Sequence, residues 1–402
     1  MITDTDIVIV GGGPVGAALA LALRQGGDSR LRVTVLEART TVGRVAIVAA
    51  DPRPIALSHG SRLLLERLGA WNELTPTAIN HIHVSQRGGF GRVAISAADA
   101  GVPALGYVID YGAMFAVLAE AARASGCDYR QGARVTALRR TGDAQHIDYA
   151  CDGTAAALTA HLIVVADGGD MEGLAPAKTL DYQQHALTAR VRTALPHAHT
   201  AYERFTPEGP LALLPFCSTG DAGNGSGHDN EMALVWTLTP ARAETLQAAD
   251  AELFLAELRQ AFGGRLGHFT AVAQRACYPL VLRTATAAPV AGVVTIGNAA
   301  QTLHPVAGQG FNLGLRDAWE LARILRTLPV QTLAHHDTVR RYDASRRLDR
   351  SATVAATHGF VRLFTNDFFP LRAMRGAGMT LLGSIAPARD FLARRMIFGA
   401  RG

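Results

Sequence analysis

The chain has 402 residues, with a hydrophobic fraction of 49% and a charged fraction of 18%. This excludes a largely disordered protein and gives enough apolar mass for two packed domains. The formal charge of +5 rests on arginine, because Lys178 is the only lysine, and no basic cluster is interleaved with aromatics. A nucleic-acid partner is therefore not expected.

The N-terminus has neither a basic region nor a cleavable apolar segment, and no run approaches the roughly 18 apolar residues of a membrane span. A cytoplasmic protein is expected, with peripheral contact on the inner face of the cytoplasmic membrane left open. Cys127, Cys151, Cys217 and Cys277 form no CxxC pair and are expected to be structural thiols. The pairs His81/His83 and His197/His199 are expected on exposed or sheet-edge positions, and no metal site is expected.

In chain order, an apolar strand at 7–10 runs into Gly11-x-Gly13-Pro14-x-Gly16 and an Ala/Leu-rich helix over 15–23. A strand over 31–36 ends at Glu37, completing the first half of a mononucleotide-binding unit. A helix is expected over 60–68, paired strands at 81–84 and 92–95, and a second helix over 111–125. Antiparallel strands follow at 134–138 and 146–149, then a buried strand at 162–166 ending at Asp167-Gly168. From 184 the character changes, and strands at 186–191, 211–215 and 232–238 suggest an antiparallel sheet. Residues 218–230 carry no large apolar anchor and suggest an exposed hairpin loop. A helix over 251–262 and a strand over 293–296 return the chain to the dinucleotide domain.

The glycines have separate tasks. Gly11 allows the tight turn, Gly13 lets the backbone approach a pyrophosphate, and Gly16 lets helix and strand pack closely. Amides at the helix start then face the anion. Glu37 stands about 20 residues further on, where a carboxylate accepts a ribose hydroxyl and repels a 2′-phosphate. FAD and NAD both fit this pocket.

A second glycine-lined turn opens a helix at His304-Pro-Val-Ala-Gly-Gln-Gly-Phe-Asn-Leu-Gly-Leu-Arg-Asp317. This segment resembles the signature of the ubiquinone-biosynthesis hydroxylases, a branch of the single-component aromatic flavoprotein monooxygenases. The resemblance extends through the N-terminal unit, Arg53-Pro-Ile-Ala-Leu-Ser58, the stretch from Tyr202-Glu-Arg-Phe205 to Pro215, and the C-terminal tail.

It implies an α/β fold: a Rossmann-like FAD-binding domain of the para-hydroxybenzoate hydroxylase type, an inserted antiparallel-sheet substrate domain and C-terminal helices. The FAD-binding parts are expected at 1–80, 111–183 and 283–345, a substrate-domain excursion at 81–110, the substrate domain at 184–282 and the helical region at 346–402. It also implies ring hydroxylation of a polyprenylated methoxyphenol by O2, through a flavin C4a-hydroperoxide formed after reduction by NADPH or NADH. Another ubiquinone precursor, a small phenol, or a non-enzymatic flavin-binding assembly protein are the alternatives. A complex of ubiquinone-biosynthesis proteins is an open partner.

By the same resemblance Asp167 and Gly168 contact flavin, and Gly297 places Asn298 beside the ribityl chain or diphosphate. Pro305 lies against the ring, while Gly308, Gln309, Gly310 and Asn312 line its helix entry. Arg53 approaches the ring or nicotinamide. His304, Pro305, Gln309 and Arg53 are the catalytic candidates; the unperturbed pKa of His304 would suit proton handling. Asp317 is expected to be a structural cap or ion-pair partner. The family's serine position after Asp167 is Met171, with no arginine following nearby. Phe205, Leu213, Pro215, Phe216 and Trp236 are candidate substrate-lining residues. The apolar tail over 358–400, with Arg362, Arg372, Arg375, Arg394 and Arg395, is expected to pack in part against the flavin domain, with one exposed face suggesting a membrane- or partner-facing surface.

Overall fold

The computed structural model describes residues 3–25, 31–40, 53–169, 177–217, 228–285, 290–305, 308–364 and 369–399. The first sheet is built on β1 (Thr5–Val10), flanked in parallel by β2 (Val33–Glu37) and β11 (Thr154–Val165). β8 (Asp128–Gln131) extends it beyond β2, and β17 (Val293–Thr295) pairs with the end of β11. Every residue of β1 is buried, as a strand covered on both faces requires. Ile7 and Ile9 join the helical side of the core, with Leu19, Leu118 and Leu321. Val8 and Val10 face the hairpin β9 (Ala133–Thr141) and β10 (Ala144–Cys151), packing with Val135 and Ile147.

The helical side is α1 (Pro14–Arg24), α3 (Tyr111–Ala124) and, late in the chain, α6 (Gln309–Leu325). α6 approaches α1 so closely that a Cβ at Gly314 would lie 2.9 Å from Val15 Cγ2 and 3.2 Å from Gly297 Cα. That contact packs the start of the N-terminal unit against the late segment 297–314.

The second sheet runs β18 (Gln301–Thr302), β16 (Phe269–Ala285), β12 (Ala177–Thr193), β15 (Glu231–Leu238), β14 (Pro210–Pro215), β13 (Thr200–Phe205), β5 (His81–Gln86) and β6 (Arg92–Ser96). It is antiparallel except between β13 and β5, which are parallel because β5 arrives from the first domain rather than through a hairpin. One face is covered by α4 (Pro240–Ala248) and α5 (Ala251–Phe262), with Phe254 and Leu258 packed on Leu187 and Leu234. The expected hairpin loop over 218–230 falls outside the described residues except for a short turn, His228–Asn230.

A small sheet, β3 (Pro54–Ser58), β7 (Gly106–Asp110) and β4 (Thr77–Ile79), lies between the two large ones and leads into α2 (His59–Arg67). The Arg190 guanidinium of β12 pairs with Asp110 at the end of β7, tying the second sheet to it. The tail forms α7 (His336–Phe364), α8 (Phe369–Ser384) and α9 (Ala386–Phe398), with α8 against β6 and α9 against α2. Among the described residues no helix is long and apolar enough to cross a membrane.

Asp317 is an ion-pair centre for this assembly. Wholly buried on α6, it accepts from Arg346 Nε at 2.7 Å and Arg350 Nη2 at 3.1 Å on α7, and from Gln301 Nε2 at 3.0 Å. Burial opposes its charge, but Arg350 and Arg346 outweigh it and hold the carboxyl below the usual range.

Candidate active site

At the nucleotide end, Gly11 has φ +98°, and a Cβ there would lie 2.6 Å from the Ala166 carbonyl oxygen. Gly16 is equally constrained, 2.0 Å from the Gly11 carbonyl oxygen. Gly13 differs. It caps α1 with φ −60°, which any residue adopts, and a Cβ would come no nearer than 3.7 Å to another group, Tyr111 Oη. The missing side chain at Gly13 thus leaves room beside the α1 amides, where a diphosphate would lie. Pro14 follows in the first turn, where the absent amide proton costs the helix nothing.

Glu37 is buried, and its Oε2 accepts the Gly12 amide at 2.7 Å. Its Oε1 accepts the Arg39 amide at 2.9 Å and Arg39 Nε at 3.0 Å. A carboxylate offers about four acceptor positions, so capacity remains for a ribose hydroxyl. Gly12 and Arg39 were not distinguished by motif spacing; both are defined by their contacts with Glu37. On the facing strand end, Asp167 Oδ1 accepts the Gly169 amide at 3.0 Å, and Gly168 has φ +84°. Arg283 of β16 donates to the Gly169 carbonyl, bringing an arginine to this turn from far along the chain. Met171 lies outside the described residues.

At the other end, Gly308 adopts the left-handed conformation, φ +59°, as it caps α6. Its amide donates to the Pro305 carbonyl at 2.9 Å, closing the turn that carries Pro305. Gly310 has no neighbouring atom within 4 Å of a Cβ position, so the first turn of α6 has an open side. Gly297, φ +60°, reverses the chain and leaves Asn298 exposed toward the same cavity. Gln309 stands at the first position of α6 and lines the cavity with Pro305.

Asn312 is more committed. Its Oδ1 accepts the Ser58 amide and Ser61 Oγ, at 2.8 and 2.6 Å, and its Nδ2 donates to the Ala56 and Gly308 carbonyls, at 3.0 and 2.7 Å. It braces β3 against the first turn of α6. The Arg53 guanidinium lies 5.0 Å from the ring centres of both Tyr111 and Tyr278, a cation–π contact between the two domains. His304 is fully enclosed, edge-on to Tyr182 at 5.3 Å, and burial pushes its imidazole down to about 4. It is neutral at physiological pH, which corrects the near-neutral value expected of an unperturbed histidine.

These residues share one cavity of about 1160 Å³, running from Gly13, Glu37 and Asp167 past Arg53 and Pro305 to the inner face of the second sheet. Phe205, Ala212, Leu214 and Val235 line that sheet wall. Leu213 and Trp236 stand one residue out of step and pack under α4 and α5 instead. Phe216 packs with Ile79 and Val108, and neither it nor Pro215 is among the described cavity residues. Of the five lining candidates, the structure places only Phe205 on the wall. The period of two along a strand makes this an all-or-none matter of register.

His197 also departs from expectation, being fully buried, with its Nδ1 accepting the His199 amide at 3.0 Å. Its ligand atom lies within 4.8 Å of those of Cys217 and Asp229, but the side chain already organises the 197–200 turn.

The fold is that of the FAD-dependent aromatic hydroxylases. It matches p-nitrophenol 4-monooxygenase of Pseudomonas putida with a TM-score of 0.77 over 100% of both chains, at 18% identity. It matches aklavinone-11 hydroxylase, solved with FAD and aklavinone, with a TM-score of 0.66 over 89% of this chain and 68% of that one, at 18% identity. In sequence, residues 4–357 match the FAD binding domain family. The chain is 31% identical to 3-demethoxyubiquinol 3-hydroxylase of Escherichia coli, covering 93% of this chain and 94% of the relative. It is 33% identical to the ubiquinone hydroxylase UbiL of Rhodospirillum rubrum, covering 97% and 88%. The chain therefore belongs to the family of FAD-dependent monooxygenases that includes the ubiquinone-biosynthesis hydroxylases.

Proposed function

We propose that the protein hydroxylates the ring of a polyprenylated methoxyphenol in ubiquinone biosynthesis, using bound FAD, NADPH or NADH, and O2. The observation that carries this reading is the continuity of the cavity, from the diphosphate turn to an apolar chamber closed by the second sheet and the tail helices. FAD supplies the oxygen activation, and the protein supplies a water-poor, shaped enclosure and oriented donors. Gly11, Gly13 and the first amides of α1 hold the diphosphate, Glu37 the ribose, and Asp167, Gly168 and Asn298 the middle of the cofactor. With FAD bound, the amides at Gln309 and Gly310 would be placed to stabilise negative charge, and Pro305 and Arg53 would border the cofactor and the nicotinamide approach.

The tail supports a hydrophobic substrate delivered from a membrane. Met379, Leu382 and Met396 of α8 and α9 line the cavity, while Met374, Leu381 and Phe391 on the same helices are more than half exposed. Arg394 and Arg395 are exposed beside them. Arg375 is not a rim residue: it is buried and donates to the Leu363 carbonyl at 2.8 Å. The side chain of Arg372 lies outside the described residues.

The test is mass spectrometry of products from the purified holoenzyme, with each nicotinamide nucleotide and isotopically labelled O2. One oxygen label in a prenylated methoxyphenol is the expected result. Flavin reduction without any labelled phenol would reject the assignment and favour a flavin-binding assembly protein.

A further inference from the structure

We propose that Glu203 receives the hydroxyl of the phenol substrate and takes its proton as the ring is oxygenated. The proposal rests on the phenol-hydroxylase reading above and adds a residue to it. Glu203 lies on β13, where Ala201, Glu203 and Phe205 line the cavity in alternation. Arg204 points away, donating to the Ala261 carbonyl at 3.1 Å, and Tyr202 packs edge-on against Phe262. The ladder sets Glu203 opposite Val84 on one side and Ala212 on the other, with Val93 and Val235 one strand further out. A carboxyl therefore stands in an apolar row of the wall that meets the substrate.

The only other carboxylates on the cavity among the described residues are Glu37 and Asp167, both at the nucleotide end. The Glu203 side chain makes no hydrogen bond or ion pair with a described residue. Glu203 is partly exposed, so its carboxyl faces the cavity rather than the packed interior, and no packing partner accounts for its place among apolar residues. Burial by itself pushes Glu203 up to about 7, the range in which a carboxylate serves as a base at physiological pH. Among the described residues, the other titratable or charged groups on this part of the cavity are Arg53 ahead of β3, Tyr111 at the start of α3, Tyr278 on β16 and His304 before α6, with Tyr202 bordering it while its ring packs against Phe262. His304, held near 4 by burial, stays uncharged where Glu203 titrates.

The chemistry explains why one carboxyl would be retained there. A free phenol ionises near pH ~10, and its anion donates ring electrons far better than the neutral form. The proton passes from the phenol oxygen to a Glu203 oxygen, with no electrons exchanged between them. With FAD bound and reduced by NAD(P)H, the cofactor would supply activated O2, one atom of which would bond to the ring carbon. The second oxygen atom leaves as water, NAD(P)H having supplied both electrons. The ring carbon loses its hydrogen as a proton to solvent, and Glu203 returns its own proton to the phenolic oxygen.

The experiment compares the wild-type holoenzyme with Glu203→Gln and Glu203→Asp, using ortho-prenylguaiacol, a methoxyphenol with one isoprene unit, as the probe. FAD content and Tm should be little changed in Glu203→Gln, since the partly exposed side chain makes no hydrogen bond or ion pair with a described residue that the amide would lose. Probe binding to the wild type should tighten as pH rises through about 7, and Glu203→Gln should lose that dependence. Its hydroxylation rate should fall by about 100-fold while NAD(P)H oxidation continues with hydrogen peroxide release, and Glu203→Asp should recover part of the coupling. Glu203→Gln with wild-type binding profile, rate and coupling would overturn the role of Glu203 alone. A wild type that neither binds nor hydroxylates the probe would reject the phenol-hydroxylase reading, and this proposal with it.

Discussion

Asn312 and Ser58 are separated by 254 positions in sequence, yet the Asn312 side chain accepts the Ser58 amide at 2.8 Å. Asn312 Nδ2 donates to the carbonyls of Ala56 and the left-handed Gly308, so one side chain sets the distance between β3 and the glycine-lined turn that opens α6. Asn312→Ala would leave several buried groups without partners, each costing about 1–3 kcal/mol. Lower denaturant stability and weaker FAD retention are expected together. Unchanged values in denaturation of the holoenzyme and in FAD titration of the apoprotein would show that the bracket is not needed.

Gly13 and Gly16 should fail in different ways. At Gly13→Asp the Cβ meets no clash with described residues and the backbone keeps an ordinary φ, but the carboxylate stands where the diphosphate would lie. A folded protein without bound FAD is expected. Gly16→Ala drives a Cβ into the Gly11 carbonyl and should lower stability itself. Circular dichroism melting and the flavin absorbance of the purified variants separate the two; a Gly13→Asp protein with full flavin would contradict the placement.

Asp317→Asn should act through stability. Breaking a buried, hydrogen-bonded ion pair costs about 3–5 kcal/mol, and here Arg346 and Arg350 would both lose the Asp317 carboxylate, keeping their ion pairs with Asp349 and Asp343. Because the folded carboxyl is held below its usual value, its contribution is complete above the unfolded pKa of about 3.9 and lost as pH falls through the lower folded one. The stability gap between wild type and variant should be large at neutral pH and close in acid. A gap independent of pH would count against the ion pair as its source.

The tail makes a separate prediction. Replacing Leu381 and Phe391 by Ser, or Arg394 and Arg395 by Gln, should reduce flotation with anionic liposomes while leaving bound FAD in place. Hydrophobic insertion and headgroup attraction are both needed for firm surface attachment. Equal flotation of all forms, or none by the wild type, would remove direct membrane contact.

The backbone turns of the candidate site were legible because their signals are local. Gly11, Gly297 and Gly308 all take positive φ, and glycine at such points reports backbone geometry that neighbours in sequence already impose. The strand ending at Glu37 and the apolar run of β1 are local in the same way. Asp317 was also recognisable as structural, although its partners on α7 were not. The small sheet of β3, β4 and β7 escaped notice because its strands are short and scattered through the first 110 residues.

The sequence by itself determined the dinucleotide turn, the helix entry at Gly308–Asn312 and the family, since each depends on residue types at fixed short spacing. Only the tertiary structure decided which side chains share the substrate wall. On β13, β14 and β15 successive residues point to opposite faces, so ladder register turned Glu203 and Val235 toward the cavity and Leu213 and Trp236 toward α4 and α5. Hydrophobicity does not distinguish those faces, because both are covered. The choice was made by packing between elements far apart in the chain, and no local pattern records it.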